Sequence, residues 1–192
     1  IFEIRKAVKR FDMEMAATPE MQRIALKIKP DIVTIVPEKR QEVTTEGGLN
    51  VKKQVHDLSK FVRKLEDSNI NVSLFVDPDF EQIESAAFTG AAFVEIHTGE
   101  YANAKNKKDE AGLFKQIKVS IEFVKSIGLK VNAGHGLTFN NAAKVSAIPG
   151  VIELNIGFSI IADALFLGLK EAVARMKRVV TLIRPDQIGA PS

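Results

Sequence analysis

The chain has 192 residues, 45% of them apolar, and its 27 basic and 24 acidic residues leave a net charge of +3. That is the size of one domain with a sizeable core; the absence of cysteine excludes disulfides, thiolate metal sites and cysteine nucleophiles. Basic residues are interleaved with acidic ones rather than gathered in a stripe, and no apolar run approaches the ~18 residues of a membrane span, so a soluble, cytoplasmic protein without nucleic-acid or membrane partners is expected.

In chain order, Ile1 to Lys9 reads as the tail of a helix. Phe11 to Ala16 reads as a strand in which Phe11, Met13 and Met15 alternate with Asp12 and Glu14, the period of two of an extended chain. A helix follows from Thr18 to Lys29, with Thr18 as N-cap, Pro19 in the first turn and Pro30 at its end. The β-branched run Asp31 to Val36 is the second strand. A charged, threonine- and glycine-bearing stretch to Leu49 separates it from a helix over Val51 to Ser68. The pattern then repeats. Strand Val72 to Asp77 precedes helix Asp79 to Thr89, strand Ala92 to His97 precedes helix Lys108 to Ile127, and strand Lys130 to Ala133 precedes helix Thr138 to Ala147. Strand Val151 to Ile156 leads into helices Ser159 to Phe166 and Leu169 to Ile183. Gly90, Gly128, Gly150 and Gly168 mark helix stops.

Repeated β-α units imply a parallel sheet, and their regularity predicts a single α/β domain over residues 1–192, a (β/α)8 TIM barrel rather than a doubly wound sheet. A barrel has eight units in about 250 residues, whereas six are read here; the expectation is that roughly 50 residues, two units by the usual barrel length, precede Ile1. A native open six-stranded fold is the alternative. The strands are not the unbroken apolar runs of a sheet covered on both faces. With the apolar set packed on the helices, Asp12, Glu14, Asp77, Glu95, His97, Glu153 and Asn155 face the lumen. Such a carboxylate-rich interior is costly unless solvated, paired or used.

Asp12 and Glu14 repel across one strand face, so one carboxyl pKa should rise and prepare Glu14 for general-base work. Glu95 and His97 share the next such face, His97 reading as a structural or Glu95-orienting residue. His135 stands between Gly134 and Gly136 at a strand end, where small neighbours admit a substrate and a histidine shuttles protons near neutral pH. His56, inside a helix, reads as surface. Gly136 and Gly157 precede helix starts, an arrangement barrel enzymes use for phosphate. The 3 histidines lack ligand spacing with one another, so neither a metal nor another cofactor is expected. Lys130, at the wrong end of its strand for a Schiff base, argues against an aldolase.

The stretch VPEKRQEVTTEGGL from Val36 to Leu49 resembles a loop of the bacterial pyridoxine 5'-phosphate synthase family. So do Met13-Glu-Met-Ala16, Glu95-Ile-His-Thr-Gly99 with Tyr101-Ala102, Val131-Asn-Ala-Gly-His-Gly-Leu137 and Glu153-Leu-Asn-Ile-Gly157, in the family's order over nearly all of the chain. The resemblance implies a TIM barrel that condenses 3-amino-2-oxopropyl phosphate with 1-deoxy-D-xylulose 5-phosphate to give pyridoxine 5'-phosphate, phosphate and water, without metal or redox cofactor. It implies Glu14 as proton acceptor, Glu95 as a carboxylate facing developing positive charge on nitrogen, and His135 as proton donor. It places Thr44, Gly136, Gly157 and position 158 in substrate binding; the family's usual histidine at that last position is Phe158 here. Glu38, Lys39 and Arg40 are read as an ion-pair lattice holding the loop, or as solvated charges. The family's remaining phosphate-binding arginine and histidine residues and one catalytic histidine belong to the units expected before Ile1. Family members assemble as octamers built from dimers, for which Leu165, Phe166 and Leu167 are candidate contacts, with core as their default. The alternatives are another barrel enzyme acting on a phosphorylated ketose, or a truncated form retaining only assembly or partial phosphate-ester binding.

Overall fold

The structure is a computed structural model that describes residues 1–37 and 47–181. In chain order it contains α1 (Phe2–Ala7), β1 (Asp12–Met15), α2 (Pro19–Ile28), β2 (Ile32–Ile35), α3 (Val55–Glu66), β3 (Asn71–Val76), α4 (Phe80–Phe88) and β4 (Phe93–His97). There follow α5 (Gly99–Ala102), α6 (Lys107–Ser126), β5 (Lys130–Gly134), α7 (Ala142–Ser146), β6 (Val151–Asn155), α8 (Phe158–Leu167) and α9 (Leu169–Thr181). The 6 strands form one sheet in sequence order, each parallel to its neighbours. A doubly wound sheet reverses its order at a switch point; this one does not.

Helix starts follow local hydrogen bonding. Thr18 Oγ1 accepts from the Met21 N–H at 3.2 Å at the head of α2, with Pro19 behind it, and Asp79 accepts from the Gln82 N–H at 2.9 Å before α4. Two helices are shorter than their sequence pattern. The Gln54 N–H closes a tight turn on the Val51 carbonyl at 2.8 Å, so α3 begins at Val55. The helix expected from Thr138 is only Ala142–Ser146, because the Asn141 carboxamide accepts from the Thr138 N–H at 2.7 Å and holds a competing turn. The short α5 directly after β4 has no counterpart in the predicted elements.

Register sorts the two faces of the sheet. Met13, Val33 and Val72 lie side by side, as do Ile35, Leu74, Val94 and Val131, and all are buried beneath the helices. Each such side chain contributes about 1.5–3 kcal/mol by leaving water. The opposite face carries Asp12, Glu14, Thr34, Ser73, Glu95 and Asn132, as the alternation predicts. The sheet is curled about this polar face. In a flat sheet the first and sixth strands would be roughly 24 Å apart at ~4.8 Å per strand, yet Arg10, just before β1, pairs with Glu153 of β6 at 3.0 Å. The result is a parallel half-barrel with a polar concave side. Among the described residues no helix is long and apolar enough to cross a membrane.

Candidate active site

The concave face gathers carboxyl groups that the sequence holds far apart. Thr34 Oγ1 lies 3.0 and 2.9 Å from the two oxygens of Asp12 and donates its proton to that carboxyl. Glu14, two residues further along β1, stands at the rim and is open to solvent. Both carboxyl pKa values are raised, each by burial first; repulsion from Asp12 is the second cause at Glu14, and the nearby His135 pulls the other way. The expected rise at Glu14 is present, with repulsion from Asp12 contributing second to burial; burial lifts Asp12 as well. Glu153 is raised as well, by burial, with Arg10 opposing.

Glu95 is the most confined of the group. It is 2% exposed, and burial, reinforced by Glu14, Asp12 and Glu153, pushes its carboxyl up to about 8. Its hydrogen-bond partner is Asn155, whose Nδ2 donates to Oε2 at 2.6 Å from the adjoining end of β6. His97 was a candidate to orient Glu95, and it does not. Its Nδ1 instead meets Asp77 at 2.8 Å, and that bond holds the Asp77 carboxyl below the usual range, helped by the Gly48 N–H at 3.0 Å. Asp77 thereby ties the residues following the 38–46 stretch to the histidine on β4. The expected surface place of His56 holds; it is exposed on α3.

His135 follows β5, with Phe75 and His97 rings at 6.3 and 4.9 Å from its own. Its backbone lies in the left-handed region at φ 75°, next to Gly136 at φ 75°, a conformation that non-glycine residues seldom take. Close approach explains a neighbouring glycine. A Cβ on Gly134 would lie 2.1 Å from Glu95 Oε1, so no side chain fits there while Glu95 keeps its place.

The substrate-binding candidates are placed as follows. Gly136 is exposed beside His135, and Gly157 is the N-cap of α8. The phosphate arrangement read at Thr138 loses its helix start, since α7 opens only at Ala142. Phe158 is 89% exposed. Thr44, with Glu38, Lys39 and Arg40, lies outside the described residues. Leu165 and Phe166, candidate contacts between copies for which core was the default, are 82% and 89% exposed among the described residues. A cavity of about 310 Å³ opens behind the rim between Asp77, His97, Glu100 and Tyr101; Glu14, Glu95 and His135 face the lumen instead. Among the described residues no group of three or more His, Asp and Glu side chains is arranged to hold a metal ion.

Sequence reading found the carboxyl groups by alternation but missed Asn155 as the partner of Glu95, Asp77 as that of His97, and Thr98, whose hydroxyl reaches the Gly134 and His135 carbonyls. Each acts across strands, and chain spacing carries no signal for that.

A curled parallel sheet whose strand ends present raised carboxyl groups beside histidines is a barrel-like α/β architecture with a candidate active site on its concave face. Solved structures share that architecture at low identity: KGPDC from Streptococcus mutans superposes with a TM-score of 0.60 at 15% identity, covering 95% of this chain and 77% of that one. The 3-keto-L-gulonate-6-phosphate decarboxylase from Vibrio cholerae O1 biovar El Tor str. N16961 gives 0.58 at 10%, over 91% of this chain and 73% of that one. Sequence goes further. Relatives named pyridoxine 5'-phosphate synthase are 51% identical over 175 residues in Sulfurihydrogenibium sp. (strain YO3AOP1) and 50% identical over 175 residues in Microcystis aeruginosa. Each alignment takes in 91% of this chain, and 72% and 73% of the respective relatives. The chain belongs to the PdxJ family, described as pyridoxal phosphate biosynthesis protein PdxJ, which it matches over residues 1–182.

Proposed function

We propose that the chain carries the pyridoxine 5'-phosphate synthase activity for which its relatives are named, joining 3-amino-2-oxopropyl phosphate to 1-deoxy-D-xylulose 5-phosphate with loss of phosphate and water. The observation that carries this reading is the family match over residues 1–182. The half-barrel is the larger part of a single (β/α)8 barrel domain, a reading supported by six parallel strands in sequence order and by the closeness of Arg10 to Glu153. Imine formation, elimination and ring closure are all proton transfers, and the concave face supplies the groups for them. Glu14 accepts protons, its raised pKa bringing it toward the working range of a base. His135 donates them.

Glu95 faces the nitrogen that becomes positive. With its pKa at about 8, the group is mostly neutral at pH 7 when no cation is near. A nitrogen cation drawn alongside favours the carboxylate and lowers that pKa. Charge on the substrate and charge on Glu95 therefore arise together, in keeping with the carboxylate facing developing positive charge that the resemblance implies. Gly157 lets phosphate oxygens approach the backbone N–H groups at the head of α8, next to position 158; Gly136 leaves room for substrate beside His135, and Thr44 contacts the sugar phosphate. No metal or redox cofactor takes part. The exposed apolar surface of α8, with Leu165, Phe166 and Leu167, joins copies of the chain in a cytoplasmic homo-oligomer. The test is formation of pyridoxine 5'-phosphate from the two esters by the complete natural polypeptide. Failure of the folded protein to make that product overturns the proposal.

A further inference from the structure

We propose that Thr98 is a positioning residue for His135; the inference rests on the proton-donor role proposed above for that histidine. Thr98 is 0% exposed, and its Oγ1 lies 2.7 Å from the Gly134 carbonyl and 2.6 Å from the His135 carbonyl. Its backbone N–H also donates to the Gly134 carbonyl at 2.8 Å. These two carbonyls stand on either side of the His135 Cα, so a group that holds both fixes φ and ψ of that one residue. The hydroxyl has a single proton to donate and shares it between them. Holding favours the conformation, because His135 sits at φ 75°, which L-residues seldom adopt, histidine less rarely than most.

The rest of the β4 tail shapes a slot for the imidazole. A Cβ on Gly99 would lie 3.0 Å from His135 Cδ2 and 2.5 Å from His97 Nε2. The His97 ring stands edge-on to His135 with centroids 4.9 Å apart, and is itself held by Asp77. Three consecutive residues thus serve His135 in three ways: His97 as a wall, Thr98 as a backbone clamp, and Gly99 as clearance.

The test measures steady-state kinetics for both phosphate esters, with circular dichroism as a folding check. Thr98→Val keeps the shape and removes the hydroxyl; it should lower kcat by about tenfold or more, the scale of a misplaced reacting group, with each KM within about twofold. Thr98→Ser should recover most of the loss. In a His135→Asn background, Thr98→Val should change kcat by less than about twofold, since the two residues act as one unit. Full turnover in Thr98→Val, no recovery in Thr98→Ser, or an undiminished effect of Thr98→Val in the His135→Asn background each overturns the inference. Near-full turnover of His135→Asn alone overturns the donor role itself, and so separates that failure from a failure at Thr98. If Thr98→Val does not fold, Gly99→Ala crowds the same ring without removing a hydrogen bond; a kcat loss supports the slot and an unchanged kcat refutes it.

Discussion

Replacing Glu95 by Gln should make the protein more stable while removing its activity. In the folded chain the Glu95 carboxyl titrates at about 8 against a reference of 4.5. A group raised in this way contributes fully below its unfolded pKa, and that contribution is lost as pH rises through the folded one. At ~1.4 kcal/mol per pKa unit the loss is about 3 kcal/mol by pH 7 and roughly 4–5 kcal/mol above pH 8. Gln removes the penalty and keeps the contact, because its amide oxygen accepts the Asn155 bond that now runs to Oε2 at 2.6 Å. Urea unfolding of the two proteins at pH 4.5, 7 and 9 measures the effect. The variant should match the parent at the lowest pH and exceed it by several kcal/mol at the highest. A stability difference that does not change with pH would show that Glu95 ionises normally and that the desolvation account of this site is wrong.

Glu14→Gln and His135→Asn should each lower kcat by about a hundredfold, the scale of a lost general base or acid, with the circular dichroism spectrum unchanged; near-full turnover in either removes it from the mechanism. Phe158→His should lower KM for one ester with little change in kcat, the mark of added uniform binding, and should shift stability by less than ~0.5 kcal/mol as an exposed substitution. Asp77→Ala strips the acceptor from both His97 and the Gly48 amide and should cost about 1–3 kcal/mol in a urea melt. Leu165→Glu with Phe166→Glu should reduce the particle mass in analytical ultracentrifugation; an unchanged mass would place the contact between copies elsewhere.

Much of the site was legible because a strand has only two faces. Once Met13 and Met15 are assigned to the core, Asp12 and Glu14 must point the other way, and the same rule places Glu95, His97, Glu153 and Asn155. Sequence pattern also gave the order of the elements, since a cap such as Thr18 or a stop such as Gly128 acts within a few residues. What pattern could not give is which polar groups meet. Asn155 reaches Glu95 across 60 positions of chain, and whether His97 would turn to Glu95 or Asp77 depends on side-chain reach across neighbouring strands. The failure at Thr138 has a different origin: helical spacing was present, but a carboxamide three residues on captured the N–H first. For Leu165 and Phe166 the default of core fails and the candidacy as contacts stays open, because a largely apolar helix carries no mark in its sequence of which neighbour covers it.

The 2.1 Å between Glu95 Oε1 and any Cβ at position 134 has a bearing on how this site can evolve. Position 134 cannot take a side chain while Glu95 keeps its length and place. A side chain at Gly134 is admissible only after Glu95 has been shortened or turned away, and shortening Glu95 leaves a gap that glycine cannot fill. In a library scored by stability, a side chain at position 134 should be deleterious beside Glu95 and less so beside a shorter residue, with the Asn155 Cβ and carbonyl, each 3.0 Å from the added Cβ, still limiting its size. The exchange that stability allows is closed by the chemistry, since shortening Glu95 costs the activity; glycine at position 134 is thus held in place by the reaction at its neighbour rather than by its own backbone.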